Sequence, residues 1–367
     1  MVEVDRVKPM SIDLARLQVA FDRVAEGVEE GAVPTVVLAV ANRREIVRCE
    51  AFSRADGDRV AADSIFLLAS ISKPILATAA MVLVAEGRLV LSEPIARYIP
   101  EFALSSAPAV TAWHLLTHTS GMDEIDWADT LRQRPHSASR FEVACRRALL
   151  FGPGERVSYS TLSYELLAAL VTRLSDRPYQ DYLRERIFAP LGMADTSYDP
   201  RVSDSSAGRM VPVQGIDGSG LADPDEALDY FIARQVAGAG LWSTAADLVA
   251  FGQAYLNDGQ QDSHGAYQLL PPAYIDLMTR EHTAGLLKME DGRAVPAHYA
   301  LSWRKGSLDG ARPGSPRVFE HDGATGGLLW IDPEWDLVFV YLTNSFGSAD
   351  AHVQQAALQA IYGALKW

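Results

Sequence analysis

Cysteine is almost absent from this chain, which has two cysteines in 367 residues. A disulfide framework usually needs more, so Cys49 and Cys145 are predicted to be free thiols, as in a reducing compartment. No spacing typical of a metal site surrounds either of them, and we expect no metal ion.

Long apolar runs are also missing. The longest, Ile75 to Ala85, falls far short of the ~20 residues that a membrane-spanning helix needs. The first residues, MVEVDRVKPMSIDL, lack the apolar core of a secretory signal. Basic residues number 33 against 47 acidic ones, and this excess of negative charge disfavours nucleic acid and anionic membranes as partners. We therefore expect a cytoplasmic protein with a small-molecule substrate.

The two ends of the chain are predicted to share one sheet. TVVLAVANRREIVRCEAFS contains two β-rich runs around Asn42-Arg43-Arg44, the pattern of a hairpin. Near the other end, HYALSWRK, RVFEHDG, GGLLWIDPEW and DLVFVYLTN have strand patterns. Amphipathic helices are predicted before the hairpin, capped by Ser11 and ended by Gly31, and at the end of the chain.

Helical patterns dominate from about Pro74 to Ala297. The predicted fold class is α+β: an antiparallel sheet flanked by the N- and C-terminal helices, with a mainly helical domain inserted. We place the sheet domain at residues 1–73 and 298–367, the helical domain at 74–297, and an active site in the cleft between them. Val213–Glu226 is predicted to be a long irregular loop.

The stretch LLASISKPILATAAMVLVAEG places one of only five lysines beside an apolar run. Proline is tolerated in the first turn of a helix, so a helix should begin near Ser70, with Ser70 and Lys73 on one face. A serine with a base one turn away, at the positive end of a helix, is the arrangement of an activated nucleophile. Apolar neighbours would lower the pKa of Lys73 toward that of a base. The alternative is an exposed lysine near a helix start.

A second Ser-x-x-Lys match, Ser302 to Lys305, serves as a control. It lies in HYALSWRKG, which has a strand pattern. Residues three apart on a strand point to opposite faces, so this match is predicted to be chance.

Tyr159, in the segment YST, is the candidate for sharing the proton of a serine–lysine pair, since a phenol can exchange a proton with an amine. We expect Lys73 within hydrogen-bond reach of both Ser70 and the Tyr159 hydroxyl. A core tyrosine at a helix start is the alternative. Tyr255-Leu256-Asn257 fits Tyr-x-Asn literally, but its position before Asp258-Gly259 is typical of a helix C-terminus.

The segment EHDGATGGLLW would end a strand at His321-Asp322-Gly323. Its glycines let the backbone approach a ligand, and an N–H there could form an oxyanion hole with the Ser70 N–H. A glycine-rich hairpin is the alternative.

Other catalytic patterns are missing. No serine has glycine both two before and two after it, which excludes the α/β-hydrolase elbow, and GAGLWST lacks a full dinucleotide fingerprint. His114 and His118 are one helical turn apart, but no third ligand is evident, which favours a hydrogen-bonding role over zinc.

These motifs, in this order, resemble the serine β-lactamase/penicillin-binding superfamily, most closely class C β-lactamases and the family VIII carboxylesterases. The resemblance extends from about Leu14 to Asn344 and includes AEGRLVLSEPIARYIPEF, TAWHLLTHTSGM, FGPGERVSYSTLSYELLAALV and GAGLWSTAADLVAFGQAYL. It implies that Ser70 is the acyl-forming nucleophile, Lys73 its base partner and Tyr159 the tyrosine that shares the proton work. No cofactor is implied.

In the resemblance, His321-Asp322-Gly323 takes the place of the family's Lys-Thr-Gly, and the N–H of Ala324 would complete the oxyanion hole. Two departures stand out. Thr161 replaces an asparagine of the lactamases, and His321 replaces a lysine and removes a permanent charge.

Both departures favour a carboxylesterase acting on small esters through an acyl-enzyme. The alternatives are a β-lactamase or D-amino-acid peptidase, an acyltransferase to an alcohol acceptor, and a non-catalytic binding protein.

Overall fold

The computed structural model describes residues 11–54, 59–104, 110–123, 139–202, 206–214, 224–260, 267–308, 310–346 and 351–366. The strands within these ranges are β1 (Ser11–Ile12), β2 (Thr35–Ala41), β3 (Ile46–Ser53), β4 (Phe66–Leu67), β5 (Trp242–Ser243), β6 (Leu287–Glu290), β7 (Arg293–Pro296), β8 (Phe319–Asp322), β9 (Leu328–Asp332), β10 (Leu337–Leu342) and β11 (Leu365–Lys366).

Five strands form an antiparallel sheet in the order β3-β2-β10-β9-β8. The β2–β3 hairpin turns where predicted, and the Asn42 side chain accepts the N–H groups of Arg44 and Glu45. Strand β2 pairs with β10, with Leu38 opposite Tyr341. The two ends of the chain therefore share one sheet, as the sequence predicts.

The terminal helices α1 (Leu14–Glu29) and α11 (Ala351–Ala364) pack on each other against one face of the sheet. Leu17 and Phe21 of α1 and Ile361 of α11 are buried there. The cap of α1 is Asp13, whose carboxylate accepts the N–H groups of Ala15 and Arg16. The predicted cap, Ser11, pairs instead with Lys366 in the short β1–β11 ladder.

The remaining helices of the described ranges lie between β4 and β8 in the chain. They are α2 (Ser72–Ala85), α3 (Ala112–Leu116), α4 (Arg140–Arg146), α5 (Leu162–Ser175), α6 (Tyr179–Leu183), α7 (Ala189–Leu191), α8 (Pro224–Arg234), α9 (Ala245–Leu256) and α10 (Pro272–Thr279). Short 3₁₀ turns and a π-helical turn at Arg184–Phe188 connect some of them.

Helix α2 is buried on all sides from Ser72 to Leu83, which is why its sequence is a continuous apolar run around one lysine. Helix α9 packs on the second face of the sheet at Gly252, where a Cβ would lie only 2.8 Å from a Val338 methyl. The α+β class, the antiparallel sheet and the flanking terminal helices are confirmed. The division into two domains at 73/74 and 297/298 stays a prediction.

The segment HYALSWRK is not the strand that its pattern predicts. Tyr299 and Arg304 form only an isolated bridge with each other, and Arg304 forms another with Glu320 of β8. Between them Ser302 has a φ of 68°, a left-handed conformation that breaks a strand. Residues 215–223 of the predicted loop Val213–Glu226 lie outside the described residues.

Both cysteines are free thiols, Cys49 on β3 and Cys145 on α4. Among the described helices, we find none with the length and apolarity that crossing a membrane requires.

Candidate active site

Ser70 lies in a 3₁₀ turn, Ala69–Ile71, between β4 and α2. The α-helix α2 begins at Ser72, two residues after Ser70, close to the predicted start. Ala69 has a φ of 46°, a strained conformation for a residue with a Cβ. Two hydrogen bonds fix the chain just before the turn: the Leu68 N–H donates to the Leu241 carbonyl, and the Thr325 hydroxyl donates to the Leu67 carbonyl. Ser70 is thus presented by a rigid turn and is 7% exposed.

Lys73 is completely buried, and its ammonium lies against Ser70. Lys73 Nζ is 3.0 Å from Ser70 Oγ and donates to the Gly238 carbonyl at 3.1 Å. A Cβ on Gly238 would lie 3.3 Å from Lys73 Cγ and 2.9 Å from Tyr164 Cβ, so glycine is required for this close approach. Gly238 was not among the residues predicted for the site; its signal in the sequence is the run Gly-Ala-Gly directly before Leu241 and β5.

Tyr159 lies beside this pair, but it does not make the predicted hydrogen bond to Lys73. The Lys73 ammonium lies 4.7 Å from the centroid of the Tyr159 ring, in a cation–π arrangement. The Tyr159 hydroxyl is buried and has no partner of normal hydrogen-bond geometry among the described residues. Burial raises the pKa of Tyr159 well above its usual value, against smaller opposing effects of Arg304 and the nearby Ser70 hydroxyl. Tyr159 is therefore a neutral phenol at physiological pH.

His118 holds Tyr159 from a neighbouring segment. Its ring stacks on the Tyr159 ring, its Nδ1 accepts the Ser160 N–H at 3.2 Å, and its carbonyl accepts the Ser158 N–H at 2.8 Å. Burial, reinforced by the charge of Lys73, lowers the pKa of His118 well below its usual value. The imidazole is neutral, with its proton assigned to Nε2 because Nδ1 accepts. At the start of α3, the His114 side chain bonds to the capping residue Thr111. Both histidines therefore have the hydrogen-bonding roles that the sequence favours.

The end of β8 lies directly against the turn that carries Ser70. A Cβ on Gly323 would lie 2.5 Å from the Leu68 carbonyl oxygen, so only glycine allows the two segments to approach this closely. Among the described residues, no acceptor is found for the N–H groups of Ser70 and Ala324. Two free N–H groups on touching segments are what an oxyanion hole needs.

His321 is completely buried near Tyr159, with 6.2 Å between the ring centroids. Its Nδ1 lies 2.7 Å from the carbonyl oxygen of Asp322. Burial, reinforced by the charge of Arg304, lowers the pKa of His321 to about 3, which keeps this side chain neutral at any working pH.

Arg304 supplies a positive charge that the sequence analysis missed. Its guanidinium donates to the Asp322 carboxylate at 2.6 Å and lies 5.7 Å from the Tyr159 ring centroid. It reaches this position because its backbone pairs with Glu320, one residue before His321. The segment HYALSWRK, which is not a strand, thus places the Arg304 guanidinium beside the site. No local pattern in SWRKG predicts this placement.

The second Ser-x-x-Lys match and the Tyr-x-Asn match at Tyr255 have other partners and do not contribute to the site. The Ser302 hydroxyl bonds to the Tyr164 hydroxyl at 2.5 Å, while Lys305 Nζ donates to the Thr279 carbonyl at 3.0 Å. The prediction that these two do not meet is correct, but the reason is the left-handed turn at Ser302. Tyr255 is buried in the core and bonds to the Thr78 hydroxyl at 2.7 Å.

The assembled groups allow acyl transfer to a serine. A neutral Lys73 amine can donate one N–H to the Gly238 carbonyl and direct its lone pair at the Ser70 hydroxyl. Because Tyr159 stays protonated, the amine is the group that can act as a base, and the phenol can relay a proton.

Comparisons with known proteins show the family to which the chain belongs. The family model described as Beta-lactamase matches residues 21–364. Penicillin-binding protein 4 of Amycolatopsis lactamdurans is 31% identical over 352 residues, which cover 91% of this chain and 86% of that protein. Esterase EstB of Burkholderia gladioli is 34% identical over 209 residues, which cover 51% of this chain and 53% of that protein. The crystal structure of a family VIII carboxylesterase has the same fold, with a TM-score of 0.75 at 20% identity over 98% of this chain and 100% of that chain.

The family match spans nearly the whole chain and includes the segments that carry Ser70, Tyr159 and His321. The esterase and the penicillin-binding protein both lie among its relatives. This chain therefore belongs to the Beta-lactamase family and is a hydrolase of the serine β-lactamase fold.

Proposed function

We propose that this protein is a serine carboxylesterase that cleaves small esters through an acyl-enzyme on Ser70. The observation that carries the proposal is the buried contact of 3.0 Å between Lys73 Nζ and Ser70 Oγ. A buried amine that faces a serine hydroxyl has few roles other than accepting its proton.

In the proposed reaction, Lys73 accepts the Ser70 proton as Oγ attacks the ester carbonyl. The N–H groups of Ser70 and Ala324 stabilise the oxyanion, and the leaving alcohol receives a proton through Lys73 and Tyr159. Water then attacks the acyl group with the same base, which releases the acid and restores Ser70. His321 stays neutral and helps to position the end of β8.

A peptidase that recognises a substrate carboxylate is the second candidate. Arg304, 31% exposed beside Tyr159, favours it because a guanidinium binds a carboxylate. Asp322 already compensates that charge, which supports the ester hypothesis. An acyltransferase differs only in the acceptor, and an alcohol added to the assay distinguishes it from a hydrolase.

The test is Ser70→Ala, with Ser302→Ala as the matched control from the other Ser-x-x-Lys. We expect Ser70→Ala to lose p-nitrophenyl butyrate hydrolysis by several orders of magnitude and to lose fluorophosphonate labelling. Ser302→Ala should keep most of both. Nitrocefin and a D-alanyl-D-alanine peptide, assayed beside the ester, test the rival substrates. An acyl adduct on any other serine, found by mass spectrometry, would refute the mechanism.

A further inference from the structure

A cavity of about 410 Å³ opens between the end of α9, helix α10 and the start of β8. Its lining residues include none of those that we place in the active site. Leu256, Ile275 and Phe319 form apolar parts of its wall, and each of these side chains is at most 6% exposed. The space is large enough for a small organic molecule.

Lys305, the lysine of the second Ser-x-x-Lys, lines this cavity, whereas the neighbouring Arg304 lies beside Tyr159. The Lys305 side chain is only 4% exposed. An ammonium has three N–H donors, but the described residues offer one acceptor, the Thr279 carbonyl at 3.0 Å.

Lys305 remains a cation at neutral pH. Burial lowers the pKa of this amine to about 8, against the opposing charges of Glu281 and Asp332, while Arg317 acts in the same direction as burial. Most of the molecules therefore carry a buried ammonium with two N–H donors that the described residues leave without an acceptor. Such donors are costly unless water or a ligand accepts from them.

Two other basic residues of the lining have acidic partners. Arg43 pairs with Asp336, and Arg280 pairs with Asp276. Glu281 contacts His298 at 2.6 Å.

Counted over the whole lining, the four basic residues Arg43, Arg280, Lys305 and Arg317 outnumber the three acidic residues Asp258, Asp276 and Glu281 by one positive charge. A site with one net positive charge and apolar walls suits a small monoanion with an apolar body.

We propose that this cavity binds a small organic carboxylate, with its oxygens on Lys305 Nζ and its apolar body against Leu256, Ile275 and Phe319. The proposal goes beyond the ester hydrolysis at Ser70 and does not depend on it. Nothing in the site resembles a catalytic constellation, so the carboxylate is a ligand and not a substrate.

The experiment uses Ser70→Ala protein, so that neither turnover nor acylation of Ser70 affects the result. Calorimetric titration with benzoate is compared for Ser70→Ala alone and with Lys305→Met added. The control is Ser70→Ala with Lys366→Met, because Lys366 lies in β11 and not in the cavity. We expect Lys305→Met to weaken benzoate binding at least tenfold and Lys366→Met to leave it unchanged. Benzamide, the neutral analogue, should bind at least tenfold more weakly than benzoate.

If Lys305→Met does not fold, the protection of Lys305 from acetylation by benzoate tests the proposal on the Ser70→Ala protein. Acetic anhydride at pH 8 acetylates accessible amines, and the chain has only five lysines to follow by peptide mass spectrometry. Benzoate should slow acetylation of Lys305 severalfold and leave Lys366 unaffected. Equal acetylation of Lys305 with and without benzoate, or equal benzoate affinity in folded Lys305→Met, overturns the proposal and leaves a cavity that holds only water.

Discussion

The imidazole of His118 stacks on the phenol ring of Tyr159, with ring centroids 4.5 Å apart and an angle of 27° between the planes. Backbone bonds from Ser158 and Ser160 to the same residue fix the chain on both sides of the tyrosine. His118 itself has a φ of 56°, a left-handed conformation that, besides glycine, asparagine, aspartate and histidine adopt more readily than other residues. One neutral side chain thus determines where the proposed proton relay lies.

We expect His118→Ala to lower kcat for p-nitrophenyl butyrate by about tenfold or more with little change in KM, because small displacements of a catalytic group are costly. His118→Asn should recover part of the loss, since asparagine tolerates this conformation and its side chain can accept the Ser160 N–H. Rates are measured per fluorophosphonate-labelled site, which removes effects of misfolded protein. Equal kcat per site in His118→Ala and the native chain would show that the stacking is structural only.

Gly238→Ala should displace the proposed base, Lys73, without changing its chemical groups. The added methyl meets Tyr164 Cβ at 2.9 Å and Lys73 Cγ at 3.3 Å, so the Lys73 side chain must shift away from Ser70. We expect kcat to fall by about a hundredfold. Gly363→Ala is the matched control, because nothing lies within 4 Å of its added Cβ in helix α11. That change should keep full activity and raise stability by about 0.5–1 kcal/mol.

Activity should rise from acid to mildly alkaline pH, and the histidines should not be the cause. The pKa of His321 is about 3, so this residue neither gains nor loses a proton between pH 5 and 8, and burial holds the pKa of His118 well below its usual value. Because Tyr159 stays a neutral phenol, the rise then reports the loss of a proton from the proposed base, Lys73. In a profile of kcat/KM against pH, the acidic limb of His321→Asn should have the same midpoint as that of the native chain, even if the variant is slower. A midpoint that moves with this substitution assigns the limb to His321.

The same buried histidine should make the fold sensitive to acid. Its pKa is about 3 in the folded state and about 6.5 when unfolded, so below pH 6.5 only the unfolded chain binds the proton, and stability falls as pH falls. From pH 7 to 5 this one group should cost about 2 kcal/mol. Urea unfolding at both pH values should show a loss larger by that amount in the native chain than in His321→Asn. Equal losses would mean that His321 is protonated in the folded state.

Much of the fold was predictable because it follows from local patterns. The hairpin around Asn42-Arg43-Arg44 is fixed by its turn residues, and the helix predicted to begin near Ser70 is marked by the apolar run of α2. The cap of α1 is Asp13 and not the predicted Ser11. Either polar residue could accept the free N–H groups of the first helical turn, but Ser11 is paired with Lys366 in the β1–β11 ladder.

The sequence by itself determined the contact between Ser70 and Lys73, because residues three apart at a helix start are neighbours whatever surrounds them. Only the tertiary structure decided the rest. Gly238 is 165 residues from Lys73 in the chain, and Arg304 reaches Tyr159 only through its pairing with β8. The tertiary structure also placed the Lys73 ammonium over the Tyr159 ring and kept Ser302 apart from Lys305. Such contacts depend on how the whole chain buries its apolar surface, and no spacing between neighbouring residues records that.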